Sequence, residues 1–163
     1  MEKMNVIEAI KIAMDAESKA RDFYADAVDK VTSERGKNLL KQLSDFENSH
    51  YTRLLDLKRS LEGDQGYIDY SGTDFNAFSP NAVSEVSGRI EKNKSNVLDI
   101  LGMAIQSEDK AYERYVDLAA KIEDAKGKDM FLKFAEEEKS HRRILSDEFY
   151  YMNNKGGLWF WGD

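Results

Sequence analysis

The chain contains itself twice. Residues 6–61 fall on 97–152 without a gap when the sequence is slid by 91 positions. In that register "VIEAIKIAMDAESKARDFYADAVDK" lies over "VLDILGMAIQSEDKAYERYVDLAAK", and "RGKNLLKQLSDFENSHYTRLLD" over "KGKDMFLKFAEEEKSHRRILSD". Paired identities include Val6/Val97, Ala13/Ala104, Glu17/Glu108, Ala20/Ala111, Tyr24/Tyr115, Gly36/Gly127, Glu47/Glu138 and His50/His141. A long unit repeated once reads as a supersecondary motif that cannot bury its apolar face alone and uses its copy to do so.

Each half reads as two helices. Asn5 and Asn96 are suited to cap the first helix of each half, with Glu8 and Asp99 three residues on. Gly36 and Gly127 are expected to mark the turn between helices. Apolar residues recur at steps of three and four, which places them along one packed seam per helix. The seams are Ile10, Ala13, Glu17, Ala20, Tyr24, Ala27, Val31; then Leu40, Leu43, Glu47, His50, Leu54, Leu57, Leu61; then Val97, Leu101, Ala104, Glu108, Ala111, Tyr115, Leu118, Ile122; then Phe131, Phe134, Glu138, His141, Leu145. Residues 62–96 form a crossover. It begins as a loop rich in Gly, Asp and Ser, and Ser79-Pro80 opens a short helix to about residue 92. With few apolar anchors, the loop 62–79 is expected to vary in order more than the hairpins, while its aromatics Tyr67, Tyr70, Phe75 and Phe78 argue partly the other way, for a staple to the bundle or to a partner chain. A tail, 153–163, ends in "GGLWFWGD" and is expected to pack over the bundle, with a dimer contact as the alternative. The fold expectation is all-α: a single domain, 1–163, built as a four-helix bundle of two hairpins joined by one long crossover.

The seams are apolar except at Glu17, Glu47, His50, Glu108, Glu138, His141, Tyr24 and Tyr115. A buried unpaired carboxylate costs several kcal/mol, and four together repel. Two divalent cations would balance four carboxylates. The spacing suits that role. Glu47 and His50, like Glu138 and His141, are three residues apart on one helix face, about 4.5 Å along the axis, so both can reach one ion or span two. A Glu from each of two helices and Glu-x-x-His from each of the other two is the ligand set of dinuclear carboxylate bundles. Oxygen and imidazole donors without thiolate suit Fe or Mn, with Zn able to substitute. Glu34, Glu113, Glu136 and Glu137 read as solvated helix faces.

The helical pairs resemble those of the rubrerythrins, within the ferritin-like superfamily. "AxxAExxAxxxY" followed by "ExxH" occurs in the first half, and the second repeats it with Ser107 before the Glu. The resemblance implies two iron ions held by Glu17, Glu47, His50, Glu108, Glu138 and His141. It implies that Tyr24 and Tyr115 hydrogen-bond to the ligands. It implies an oxidoreductase that reduces H₂O₂ or O₂, of peroxidase or ferroxidase type. Two features depart from the family pattern. The chain has no Cys, so it lacks the four-cysteine rubredoxin module and would need an external electron donor such as a rubredoxin. Ala111 stands where typical members carry a further carboxylate, which implies slower peroxide turnover. Iron storage and a metal-stabilised scaffold without turnover are the alternative functions.

Composition narrows the remaining classes. A net charge of −7 argues against nucleic acid and anionic lipid as partners. No apolar run approaches the roughly 20 residues that span a bilayer. The start of the chain has charges scattered through it and no apolar signal core. A cytoplasmic homodimer is the expectation.

Overall fold

The computed structural model describes residues 3–31, 34–68 and 94–158. They form four helices: α1 (Val6–Val28), α2 (Glu34–Glu62), α3 (Lys94–Lys121) and α4 (Ala125–Leu158). No strand occurs among the described residues. None of the helices searched is long and apolar enough to cross a membrane.

The described seam residues turn inward. Two apolar clusters result, one at each end of the bundle. The first gathers Ile10, Ala13, Leu54, Leu57, Leu118, Ile122, Phe131 and Phe134. The second gathers Ala27, Val31, Leu40, Leu43, Leu101, Ala104 and Leu145. Membership sets the direction of each helix. The start of α1 and the end of α3 share the first cluster, so α1 and α3 run antiparallel. The ends of α2 and α3 meet there too, so those two helices run parallel. Joining parallel neighbours requires a return along the whole bundle. At 1.5 Å per residue the 29 residues of α2 span roughly 43 Å. That distance is why the crossover is long while the hairpin turns are short.

Local chemistry fixes the ends. Asn5 caps α1, its Oδ1 accepting from the Ile7 amide at 2.7 Å. The Met4 amide donates to the Lys121 carbonyl at 2.9 Å and ties the start of α1 to the end of α3. Asp124 caps α4, accepting from the Gly127 amide at 2.8 Å. Between α1 and α2, the Ser44 hydroxyl donates to the Arg21 carbonyl and Arg21 reaches Asn48 at 3.2 Å. Arg142 and Asp109 pair across α3 and α4 at 2.5 Å.

Several boundaries differ from the sequence reading. Asn96 lies inside α3, which already includes Lys94; neither Lys94 nor Ser95 breaks a helix, so the turn propagates upstream of the expected cap. Gly36 and Gly127 lie in the first turns of α2 and α4 rather than in the preceding turns. At Gly127 the reason is space. A Cβ there would stand 3.0 Å from the Tyr67 hydroxyl, 3.2 Å from Ile122 and 3.3 Å from Val6. Tyr67 donates to Asp124 and packs on the first apolar cluster, so it does staple the start of the crossover to the bundle. α4 runs on through Gly156 and Gly157 to Leu158, past the expected start of the tail at 153. Each Gly costs about 1 kcal/mol in a helix, which an already nucleated helix of 34 residues absorbs. The short helix expected at 79–92, with Tyr70, Phe75 and Phe78, lies outside the described residues. So do Trp159, Phe160 and Trp161.

Candidate metal centre

Between the two apolar clusters, at mid-height, each helix turns acidic side chains inward. On α1, Glu17 follows Ala13; on α3, Glu108 follows Ala104. On α2, Glu47 and His50 lie between Leu43 and Leu54. On α4, Glu138 and His141 lie between Phe134 and Leu145. All six polar residues are buried, none more than 3% exposed. The structure therefore brings together every residue the seams singled out.

They fall into two overlapping groups. Glu17, Glu47, His50 and Glu138 form one, and Glu47, Glu108, Glu138 and His141 the other. Within each, one donor atom per residue lies within 4.8 Å of all the others. Donors at about 2.1 Å from a shared ion stand up to about 4.2 Å apart, so each group needs only slight contraction to close on a cation. Glu47 and Glu138 belong to both groups, so both carboxylates would be shared if each group held an ion.

Nδ1 of each imidazole faces the carboxylates. His50 Nδ1 lies 3.3 Å from Glu17 and 2.8 Å from Glu138. His141 Nδ1 lies 3.4–3.7 Å from Glu138, Glu47 and Glu108. The rings stack with centroids 5.7 Å apart and an 18° tilt. Phe134 meets His50 edge-on at 5.1 Å, and Phe46 packs on His141 at 4.9 Å. Tyr24 and Tyr115 work across the hairpins. The Tyr24 hydroxyl donates to Glu108 at 2.6 Å, and the Tyr115 hydroxyl donates to Glu17.

The electrostatics describe a cluster short of positive charge. Burial, followed by the negative charges of Glu138, Glu17 and Glu108, pushes the Glu47 carboxyl well up. Burial and then Glu138 push Glu108 up to about 8. Burial would lower both imidazoles, but the surrounding carboxylates outweigh it and hold His50 and His141 well above their usual range. Burial also opposes charge on Glu138, yet Glu108, His50 and His141 overcome it and hold that carboxyl low. Burial and the nearby carboxylates hold both tyrosine hydroxyls well up, so they stay protonated and donate. With its carboxyl pushed up to about 8, Glu108 keeps its proton at neutral pH.

The donor set fits a metal. Oε1 of Glu47 and both oxygens of Glu138 are buried and make no well-directed hydrogen bond among the described residues. The 2.8 Å approach of His50 to Glu138 is an ion-pair contact off the hydrogen-bonding direction. Buried oxygens without a well-directed donor are costly in a finished core and are what a cation would satisfy.

One residue of the cluster was misread. Glu137, expected on a solvated face, is 4% exposed, and its Oε2 lies 2.5 Å from His50 Nε2. Its position carried a signal: it stands three residues after Phe134 and four before His141, flanking the seam. Its repeat counterpart, Phe46, is apolar. Glu148, three residues past Leu145, is also buried. Glu34, Glu113 and Glu136 are exposed as expected.

An all-α bundle that buries two Glu-x-x-His pairs and two further Glu among four helices defines a ferritin-like protein with a buried carboxylate–imidazole cluster able to hold metal. The rubrerythrin family model matches residues 1–58 and 99–157, so the chain belongs to the rubrerythrin family. A solved structure of a hypothetical protein from Pyrococcus furiosus shares the fold, with a TM-score of 0.65 and 21% identity over 93% of this chain and 92% of that one. Comparison with curated proteins finds no match.

Proposed function

We propose that this chain is a non-haem dinuclear iron oxidoreductase that reduces hydrogen peroxide or dioxygen with electrons from an external donor such as a rubredoxin. The observation that carries the proposal is the pair of buried donor groups sharing Glu47 and Glu138. Oxygen and imidazole donors without thiolate favour Fe or Mn and admit Zn. Bound iron supplies one electron per ion, and a pair matches the two-electron demand of peroxide.

In this reading Glu17 and His50 would hold one ion and Glu108 and His141 the other, with Glu47 and Glu138 available to both. Tyr24 holds Oε1 of Glu108 while Oε2 faces His141, and Tyr115 holds Oε1 of Glu17, the same oxygen that lies 3.3 Å from His50 Nδ1. Glu137 holds the remote nitrogen of His50 and turns its Nδ1 inward. The apolar clusters above and below exclude bulk water, which strengthens each charge interaction between them. The four-helix site holds no cysteine-ligated iron of its own, and in this reading its electrons come from an external donor. Ala111 leaves one carboxylate fewer beside the site than typical family members have, so turnover is slower. A cytoplasmic setting and a homodimer complete the proposal.

Anaerobic protein loaded with two Fe(II) per chain and mixed with one equivalent of peroxide tests this. Near-ultraviolet absorbance of oxidised iron should grow within minutes. Two irons bound without that absorbance would make the site a structural one. Binding of fewer than two ions per chain would remove the dinuclear reading itself.

A further inference from the structure

This inference rests on the metal-centre reading above and concerns the difference between its two positions. The internal repeat makes them a controlled comparison. Each donor group holds three carboxylates and one imidazole, and two of the carboxylates are common to both. Glu17 answers to Glu108 and His50 to His141 at the 91-residue offset. The tyrosines are mirrored as well: Tyr115 bonds Glu17, and Tyr24 bonds Glu108. The correspondence fails behind the imidazoles. Glu137 approaches His50 Nε2 at 2.5 Å, whereas its counterpart, residue 137 − 91 = 46, is Phe46, whose ring packs on His141 at 4.9 Å.

A carboxylate behind a ligating imidazole does two things that a phenyl ring cannot. It holds the proton on the remote nitrogen, which keeps the lone pair on the nitrogen facing the metal. It also places negative charge against the ring and raises the basicity of the donor atom. Glu137 is itself buried, so water screens this little. The geometry points to two inequivalent metal positions: the Glu17–His50 position fills first, and Glu137 is the positioning residue that makes it first. Once one ion sits there, Glu47 and Glu138 are partly neutralised. The second ion then enters a less negative cluster, which widens the gap between the two steps.

The chain has only two histidines, so their ring signals report the two positions separately. The full chain, labelled with ¹⁵N-histidine, is titrated with Zn(II) as a diamagnetic probe, and His141→Asn assigns the spectrum. The His50 ring nitrogens should move to bound positions during the first equivalent, and those of His141 during the second. Glu137→Gln keeps the shape and removes the charge. It should weaken the first step about 10–100-fold, leave the second near its native value, and bring the two histidines into step. Simultaneous movement in the native chain, His141 moving first, or an unchanged order in Glu137→Gln would each overturn the inference. The order in the native chain decides the matter even if the variant folds poorly. A different failure, in which neither ring moves with Zn(II), Mn(II) or Fe(II), would overturn the metal-centre reading beneath it.

Discussion

Raising the pH on metal-free protein is expected to destabilise it steeply. Glu108 is the clearest contributor. It is wholly buried beside Tyr24 and Glu138, and its carboxyl is pushed from 4.5 up to about 8. A carboxyl raised on folding contributes stability that is fully present below 4.5 and is lost as pH rises through about 8. One proton difference is worth on the order of 1 kcal/mol per pH unit, so this interval amounts to on the order of 5 kcal/mol. A domain of this size has roughly 5–15 kcal/mol in total. Glu47, also raised, acts with the same sign. So do His50 and His141, whose contributions are complete below 6.5 and fade as pH rises through their raised values. Glu138 is held low; its contribution is present above 4.5 and is lost only as pH falls through the lowered value, so it is constant over the window. Urea unfolding followed by helical circular dichroism, at pH 5 to 9 with a chelator present, measures the slope. Glu108→Gln keeps an acceptor for Tyr24 but cannot titrate, so its slope should be shallower by about one proton. Saturating divalent metal should flatten the slope. A native stability that is level or rising between pH 5 and 8, or an equal slope in Glu108→Gln, would refute the reasoning.

Because Glu108 keeps its proton at neutral pH, metal uptake should release protons and affinity should climb from pH 6 to 8; calorimetry in buffers of different ionisation enthalpy counts them. Tyr24→Phe and Tyr115→Phe should each fold and bind two ions but be oxidised by peroxide about 10–100-fold more slowly, read by stopped-flow absorbance. Phe134→Ala removes a buried ring that stacks on Tyr115 at 5.2 Å and meets His50, and should cost about 3–5 kcal/mol in a denaturant melt. Gly127→Ala gains about 1 kcal/mol of helix propensity but crowds three separate segments, so a net loss of about 1 kcal/mol is expected in the same assay.

Much of the architecture was legible because two periodicities coincide. Steps of three and four located the seams, and the 91-residue offset showed that Glu17 and Glu108 interrupt them at equivalent places. The six clustered residues follow from those interruptions, since an acid in an apolar stripe has nowhere else to point. The turns were less legible. A Gly near a helix boundary suits either side of it, and only the approach of Tyr67, Ile122 and Val6 shows why Gly127 sits inside α4. Glu137 was hidden by its neighbours: in a run of three Glu the seam position is obvious and the flanking one is not. What it meets inside is His50 of α2, 87 residues away, and that partner is not local to the "EEE" segment.

The division of the donor groups between hairpins bears on history. One hairpin supplies Glu17, Glu47 and His50, the other Glu108, Glu138 and His141, and neither donor group closes without a residue from the opposite hairpin. An ancestral peptide of half this length would thus have carried half of a symmetrical centre and completed it by pairing with a copy of itself. Duplication and fusion of its gene would place both halves in one polypeptide and free them to diverge. Glu137 and Phe46, counterparts at the 91-residue offset, mark one place where the two halves now differ.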